Sequence, residues 1–312
     1  MTAFTVTAPA SSANLGAGFD AVALALELRM TARVRAAASN GAEWTYRGPH
    51  APTHDGVRHC IEAGIARFAP AAPALAVELD NAIPLGSGLG SSAAAYALGI
   101  AIGAQLLARR PDDETLARAV AELEGHPDNA LAAWYGGAVV AAHDAGALTF
   151  ARFAPPAVAA AVVVPEITLP TAQARALMPE QYALADVVYN LQRAALLGAA
   201  LGAGRLDLLG AAMRDRVHQP YRAAQVPGLE EILDLADPAL VGIALSGAGP
   251  SVLALVRDDP ARVGARIAAI FERHGVRSSV LTPALASAGL TVTASEQAGG
   301  AASRPGNVGG NG

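Results

Sequence analysis

The chain has 312 residues, of which 53% are hydrophobic and 16% are charged, and a net charge of −5. This composition excludes a disordered chain, and the length suffices for one large domain or two packed ones. The sequence lacks an apolar run of ~18 residues, a signal-peptide pattern at its start and a Lys/Arg-rich stretch. We therefore expect a cytoplasmic protein with neither a membrane nor a nucleic-acid partner, and its single cysteine, Cys60, agrees with a reducing compartment.

All 22 basic residues are arginines, because the sequence contains no lysine. A Walker-A phosphate loop requires a lysine after its glycines, and a Schiff-base enzyme requires a lysine amine. Both classes are excluded. Any phosphate that this chain binds must be held by backbone amides, helix dipoles, arginines and metal ions.

Predicted strands and helices are interspersed along the whole chain, which indicates an α+β protein. In the first half, Asp112 or Asp113 is the predicted N-cap of a helix that ends near Glu124. The other predicted elements of this half are strands at 4–8, 22–34 and 74–79, a helix from about 91 to 107, and a buried strand after the glycines at 136 and 137.

The second half begins after an Ala-Pro-Pro linker at 154–156. From residue 295 the chain consists mostly of small and polar residues, which predicts a disordered tail. The predicted domains are 1–154 and 155–294, with the tail at 295–312. The predicted elements of the second domain are strands at 159–164, 241–245, 252–256 and 276–281 and helices at 171–177, 184–201, 206–217 and 260–274.

The strongest local feature is the segment Pro84-Leu85-Gly86-Ser87-Gly88-Leu89-Gly90-Ser91-Ser92. Its glycines allow a ligand to approach the backbone, and the helix that follows aims its free N–H groups at that ligand, which suits a triphosphate. A Rossmann fingerprint is excluded, because Ser91 stands where its third glycine belongs and no acidic residue follows at the required distance. A glycine turn with a purely structural role is the alternative.

A second cluster, Glu122-Leu123-Glu124-Gly125-His126-Pro127-Asp128-Asn129, lies at the predicted end of a helix. A phosphoryl-transfer site needs a Mg²⁺ ligand and a polar group near the attacking hydroxyl, and this cluster could supply both. The alternative is a solvated helix terminus with an Asx turn.

A third segment, Pro9-Ala10-Ser11-Ser12-Ala13-Asn14-Leu15-Gly16-Ala17-Gly18-Phe19-Asp20, surrounds one amide and one carboxylate with small residues. That pattern suits a close-fitting polar substrate, although a loop between two strands is equally compatible with it.

The order and spacing of these segments together resemble the GHMP kinases. Residues 84–94, which end with Ala93 and Ala94, resemble the phosphate-binding motif of that family, and Ser-Gly-Ala-Gly-Pro-Ser at 246–251 resembles its C-terminal glycine motif. The segments at 9–20 and 124–129 are similar to the forms found in the homoserine kinases within the family. The resemblance extends from about residue 4 to residue 290.

This resemblance implies an N-terminal domain like the second domain of ribosomal protein S5 and a ferredoxin-like C-terminal domain, with ATP and substrate in the cleft between them. It implies ATP-dependent phosphorylation of the L-homoserine hydroxyl, with Mg²⁺ as a cofactor. The implied site residues are 84–94 for ATP, Ser92 and Glu122 for Mg²⁺, Asn14 and Asp20 for the amino acid, Arg175 and Arg222 for its carboxylate, Asp128 and Asn129 beside its hydroxyl, and His126 for substrate or phosphate.

Several alternatives remain open at this stage. The short loop before His126 allows Glu124 to replace Glu122 as the metal ligand. Asp128 could act as a base, or the reaction could proceed without a side-chain base if Asn129 faces the hydroxyl. A GHMP kinase for mevalonate-type or sugar substrates and a non-catalytic ATP-dependent sensor are the competing functions. The sequence does not decide the oligomeric state, and a homodimer is compatible with it.

Overall fold

The computed structural model describes residues 2–49, 56–144 and 147–294. The predicted disordered tail at 295–312 lies outside these residues. Within them, two β-sheets and their covering helices form a mixed α+β architecture, as expected from the sequence. None of the helices in this described part is long and apolar enough to cross a bilayer.

The first sheet is seven-stranded and mostly antiparallel, with a parallel pairing at one edge. Its strands are β1 (Phe4–Ala13), β2 (Val22–Ala36), β3 (Glu43–Arg47), β4 (Leu75–Asn81), β5 (Ala138–Asp144), β6 (Ala147–Phe153) and β11 (Thr291–Ala294). Strand order is β11-β1-β2-β4-β3, and β5 pairs with both β2 and β6. The long strand β2 therefore connects the two parts of this sheet.

The second sheet is antiparallel, with four strands in the order β10-β7-β9-β8. Its strands are β7 (Ala159–Pro165), β8 (Leu240–Leu245), β9 (Val252–Val256) and β10 (Ser278–Leu281). Successive residues of β7 face different clusters: Ala160 and Val162 join the larger core, whereas Ala161 and Val163 join a smaller one. Both faces of this sheet are therefore covered.

Ten α-helices lie within the described residues, and the most central of them is the one that follows the glycine-rich segment. They are α1 (Gly56–Phe68), α2 (Ser91–Gln105), α3 (Asp113–Glu124), α4 (Pro127–Tyr135), α5 (Thr171–Ala176), α6 (Leu184–Ala203), α7 (Leu206–Ala212), α8 (Gln219–Arg222), α9 (Leu229–Leu233) and α10 (Pro260–Arg273). Every residue of α2 from Ala97 to Ala104 is buried, as expected for a helix that is apolar on all sides.

One predicted element needs correction. The helix expected at 206–217 ends at Ala212, and a separate short helix, α8, follows it. The predicted domain bounds, 1–154 and 155–294, stay a prediction, and residues near the end of the second predicted domain bond to the first sheet. Ala286 donates its N–H to Ala25, and β11 pairs with β1, so the end of the described chain returns to the first sheet.

Helices α1 and α2 cross at a point where only glycine fits. A Cβ atom on Gly99 would collide with the backbone of Ile61, and one on Gly64 would lie 2.7 Å from the Ile100 nitrogen. Small residues at such a crossing allow the two backbones to approach closely and to cover α2 without a cavity.

We predict that Gly99→Val lowers the free energy of unfolding by roughly 3 kcal/mol or more, because the added atoms force α1 away from α2. Gly198→Ala is the control: this glycine lies in α6, and a Cβ there has no neighbour within 4 Å. Gly198→Ala should raise the free energy of unfolding by about 0.5–1 kcal/mol. Chemical denaturation measures both changes, and equal stabilities for the two variants would contradict the close crossing.

Candidate active site

A cavity of about 400 Å³ lies where the two sheets meet. It is lined by the glycine-rich segment, by the turn between β8 and β9, and by residues from the loop after β1, from α1, and from the ends of α3, α5 and α8. All three segments that the sequence singled out therefore contribute to one cavity.

The glycine-rich segment presents an uncompensated helix N-terminus to this cavity. Gly86, Gly88 and Gly90 have φ values of 63°, 80° and 67°, a region that favours glycine. Helix α2 begins directly after them with no side-chain cap and no acidic residue in its first turn. Among the described residues, the buried Ser91 hydroxyl has no hydrogen-bond partner. These free donors and the helix dipole fit an anionic ligand.

The two ends of the predicted phosphate segment have different surroundings. Ser87 donates its hydroxyl to the Pro84 carbonyl at 2.8 Å, which closes the turn. Ala93 and Ala94 are fully buried in the core and do not line the cavity. The part of the segment that lines the cavity is therefore 84–92.

The glycine turn at 246–251, between β8 and β9, lies directly against this segment. The Ser246 hydroxyl donates to the Gly88 carbonyl at 2.8 Å, and the Ser251 N–H donates to the Ser87 carbonyl at 3.2 Å. A Cβ atom on Gly88 would collide with the Ser246 carbonyl oxygen. The two turns thus fit together only because Gly88 has no side chain.

Asn14 fixes the loop after β1 against the same glycine turn. Its side-chain amide donates to the Gly247 carbonyl at 2.8 Å and accepts the Asp20 N–H at 2.9 Å. Asn14 and Asp20 themselves have φ values of 71° and 55°. Non-glycine residues rarely adopt this conformation, and it is common at binding sites where surrounding contacts maintain it.

Asp20, Arg175 and Arg222 meet around the ring of Phe19. One terminal nitrogen of Arg175 lies 3.0 and 2.9 Å from the two carboxylate oxygens of Asp20. The guanidinium carbons of Arg175 and Arg222 lie 5.5 and 5.2 Å from the Phe19 ring centre. This end of the cavity therefore carries two cations and one anion, which suits a ligand with charges of both signs.

Arg222 is 2% exposed, although it lines the cavity. Its NH1 group donates to the Gly247 carbonyl and contacts His218, whereas its buried Nε has no partner among the described residues. An unpaired buried donor is costly, and an anionic ligand would relieve that cost.

Asp128 and Asn129 begin helix α4 at the wall of the cavity. The Asp128 carboxylate is 2% exposed and accepts the Asn129 N–H at 2.7 Å, and the Asn129 side-chain oxygen accepts the Ser11 hydroxyl at 2.8 Å. Burial raises the pKa of Asp128 to about 7, against the opposing effect of its backbone hydrogen bond. Burial lowers the pKa of the neighbouring His126 imidazole, which favours its neutral form.

Glu124, rather than Glu122, lies beside the glycine-rich segment. The Ser92 hydroxyl donates to a Glu124 carboxylate oxygen at 2.7 Å, and both residues line the cavity. Burial raises the pKa of Glu124 to about 7, and the Ser92 hydrogen bond opposes this rise. Glu122 instead pairs with Arg67 at 3.4 Å and does not line the cavity.

A hydroxyl and a carboxylate are ligands that fit Mg²⁺. In the described part of the chain, no group of three or more His, Cys, Asp or Glu side chains could hold a metal ion by itself. Phosphotransfer sites typically bind Mg²⁺ through one or two carboxylates together with the phosphates of the substrate. The Ser92 and Glu124 pair is compatible with that arrangement.

Four site residues had no individual role assigned from the sequence: Ser11 and Phe19 in the segment at 9–20, Gly247 in the glycine motif at 246–251, and His218, which lies outside every segment singled out. Three of them contact a predicted residue through a side chain or ring, and Gly247 does so through its backbone. The position of His218, four residues before Arg222, is a signal that could have been used, because residues four apart share one face of a helix.

Two family models match the chain. The model of the GHMP kinase N-terminal domain matches residues 56–137, and the model of the GHMP kinase C-terminal region matches residues 193–273. The homoserine kinase of Deinococcus radiodurans is 46% identical over 80% of this chain and 83% of its own. That of Solibacter usitatus is 42% identical over 93% of this chain and 97% of its own.

Among solved structures, the homoserine kinase of Cytophaga hutchinsonii superposes with a TM-score of 0.81 at 26% identity, covering 94% of this chain and 98% of that one. The architecture, the two domain models and these relatives lead to one assignment. The chain belongs to the GHMP kinase family.

Proposed function

We propose that this chain transfers the γ-phosphoryl group of ATP to the hydroxyl of L-homoserine and produces O-phospho-L-homoserine. One observation carries this proposal: an anion-binding helix terminus and a group of two arginines and one carboxylate line the same cavity. The first suits a triphosphate, and the second suits an amino acid. The two relatives described above, both named homoserine kinase, support the choice of substrate.

The amino acid would be recognised through its two charges. Arg222 can bind the carboxylate with its Nε edge, because that buried nitrogen lacks a partner within the described residues while NH1 is already engaged. A carboxylate forms paired hydrogen bonds with such an edge. Asp20 would bind the ammonium group, and Arg175, which is bound to Asp20, would bring a second positive charge toward the carboxylate.

Phosphoryl transfer depends mainly on positioning and on neutralising charge. The amides of the glycine-rich segment and the α2 terminus would hold the phosphates, and Asn129 and Asp128 would lie beside the hydroxyl. With its pKa raised to about 7, Asp128 can accept the hydroxyl proton near neutral pH. The neutral His126 would contact the substrate or the transferred phosphate from the same side.

Mg²⁺ would neutralise phosphate charge when it is bound. We propose Ser92 and Glu124 as its protein ligands, in place of the Ser92 and Glu122 pair that the sequence suggested. The contact between Ser92 and Glu124 supports this choice, and the ion pair of Glu122 with Arg67 argues against the other.

An ADP-release assay with homoserine, mevalonate and galactose tests the proposed function. We expect turnover with L-homoserine and at most background rates with the other two alcohols, because neither carries an ammonium group for Asp20. Preferential turnover of mevalonate or galactose would identify another GHMP kinase activity. ATP binding without turnover of any of the three would instead favour a non-catalytic sensor.

The phosphate segment can be tested at Gly86, where a Cβ has only the Thr168 methyl nearby, at 3.8 Å. Gly86→Asp and Gly86→Asn are matched, since both side chains tolerate this positive φ. A carboxylate a few ångströms from a triphosphate costs about 3 kcal/mol at an effective dielectric constant of 20. We therefore expect ATP affinity to fall about 100-fold more in the Asp variant than in the Asn variant. Calorimetric titration measures the ATP affinity of each variant. Equal affinities of the Asp and Asn variants would show that the phosphates do not bind at this segment.

The metal ligand can be tested with a second matched pair. Glu124→Gln should raise the Mg²⁺ concentration for half-maximal activity by at least the ~10- to 100-fold that loss of an outer-shell partner causes. Glu122→Gln removes an exposed ion pair, worth at most about 1 kcal/mol of stability, and should leave the Mg²⁺ requirement within about twofold. The reverse result in Mg²⁺ titrations of activity would restore Glu122 as the ligand.

A further inference from the structure

His218 is a fully buried histidine whose two ring nitrogens contact two different parts of the active site. Its Nε2 lies 2.9 Å from the Gly16 carbonyl oxygen, in the loop that carries Asn14 and Asp20. Its Nδ1 lies 3.0 Å from NH1 of Arg222. The imidazole therefore bridges the loop after β1 and the buried arginine.

The chemistry of these partners defines one protonation state. A carbonyl oxygen only accepts and a guanidinium only donates, so Nε2 must carry the hydrogen and Nδ1 must be a free acceptor. Burial, aided by the Arg222 charge and opposed by Asp215, lowers the pKa of His218 and so agrees with a neutral ring. At 3.7 Å from Nε2, Asp215 is too distant for a ring hydrogen bond.

The ring is held firmly in place. Asp215 accepts the backbone N–H groups of His218 at 3.0 Å and Gln219 at 2.7 Å, which secures the first turn of α8. The Phe19 ring stacks on the imidazole, with 5.0 Å between ring centres and 19° between planes. These contacts fix both the position and the orientation of Nδ1.

The two acceptors of NH1 determine how Arg222 faces the cavity. NH1 donates to His218 and, at 3.1 Å, to the Gly247 carbonyl, which also accepts the Asn14 amide. With NH1 engaged on both sides, the edge that contains Nε remains for a ligand, and this Nε is buried without a partner in the described residues. Without the Nδ1 acceptor, the guanidinium could rotate about its last bonds and present another edge.

We propose that His218 is a positioning residue for amino-acid recognition: its Nδ1 holds NH1 of Arg222 so that the Nε edge meets the substrate carboxylate. This inference rests on the proposed function. It assigns His218 no contact with the substrate and no part in the transfer step, so its loss should affect homoserine binding far more than ATP binding.

Two substitutions separate the two contacts of the ring. In His218→Asn, the side-chain oxygen takes the place of Nδ1 and retains the acceptor for Arg222, while the contact with Gly16 is lost. In His218→Gln, the terminal amide reaches the Nε2 position and retains the donor to Gly16, while the acceptor for Arg222 is lost. Both variants remove the imidazole, so they serve as mutual controls for lost packing against Phe19.

We expect His218→Gln to raise KM for L-homoserine about tenfold, the effect of losing one hydrogen bond to a charged group. His218→Asn should raise it about threefold or less. KM for ATP should stay within about twofold of the unaltered enzyme in both. With L-homoserine amide, which lacks the carboxylate, the two variants should have equal KM values.

Three results would overturn the proposal: equal KM values of the two variants for homoserine, a larger effect in His218→Asn, or a parallel rise in KM for ATP. Failure of the unaltered enzyme to phosphorylate homoserine would instead reject the proposed function. The two failures are therefore distinguishable.

A measurement on the unaltered chain covers the case in which a variant does not fold. Of the histidines that the structure describes, His218 alone is buried, so its ring N–H should exchange slowly with solvent. Nitrogen NMR of histidine-labelled protein should detect a slowly exchanging imidazole for His218, protonated at Nε2 and unprotonated at Nδ1. A protected imidazole with the hydrogen on Nδ1, or doubly protonated at neutral pH, would contradict the bridge.

Discussion

The active site depends on three backbone turns that meet without room for a side chain between them. The glycine-rich segment contacts the turn at 246–251 through Gly88, where a Cβ atom would collide with the Ser246 carbonyl. The Gly247 N–H donates to the Ala13 carbonyl at 3.0 Å, and the hydroxyl oxygens of Ser12 and Ser246 lie 2.8 Å apart, within hydrogen-bond distance. These contacts join the end of β1, the start of α2 and the β8–β9 turn, and thereby join the two sheets.

The same junction connects the proposed phosphate site with the proposed amino-acid site. The Gly247 carbonyl accepts hydrogen bonds from Asn14 and from Arg222, and it lies one residue after Ser246, which contacts Gly88. The orientation of Arg222 therefore depends on a turn that also supports the glycine-rich segment. In phosphoryl transfer the positions of donor and acceptor decide the rate, so a rigid connection between the two sites favours the reaction.

The sequence predicted the features that neighbouring residues determine, and it did not predict the contacts between residues far apart in the chain. The glycine-rich segment and the α+β class were predictable, because glycine spacing and alternating elements are local patterns. The sequence could not decide whether Glu122 or Glu124 is the candidate Mg²⁺ ligand. Residues two apart on a helix point in nearly opposite directions, and only the position of Ser92 in the fold selects Glu124. The return of β11 to β1 and the contacts of His218 with Gly16 join residues far apart in the chain, which a single sequence does not reveal.

The most direct test of this account is a comparison of Gly88→Ala with Gly275→Ala. The two glycines have φ values of 80° and 77°, so both substitutions introduce similar backbone strain, but a Cβ on Gly275 has no neighbour within 4 Å. Gly88→Ala should lower kcat/KM for both ATP and homoserine by about 10- to 100-fold, because the added methyl group separates the turns. Gly275→Ala should leave kcat/KM for ATP and for homoserine within about threefold of the values of the unaltered enzyme. Unchanged kcat/KM values in Gly88→Ala would contradict the claim that this contact assembles the site.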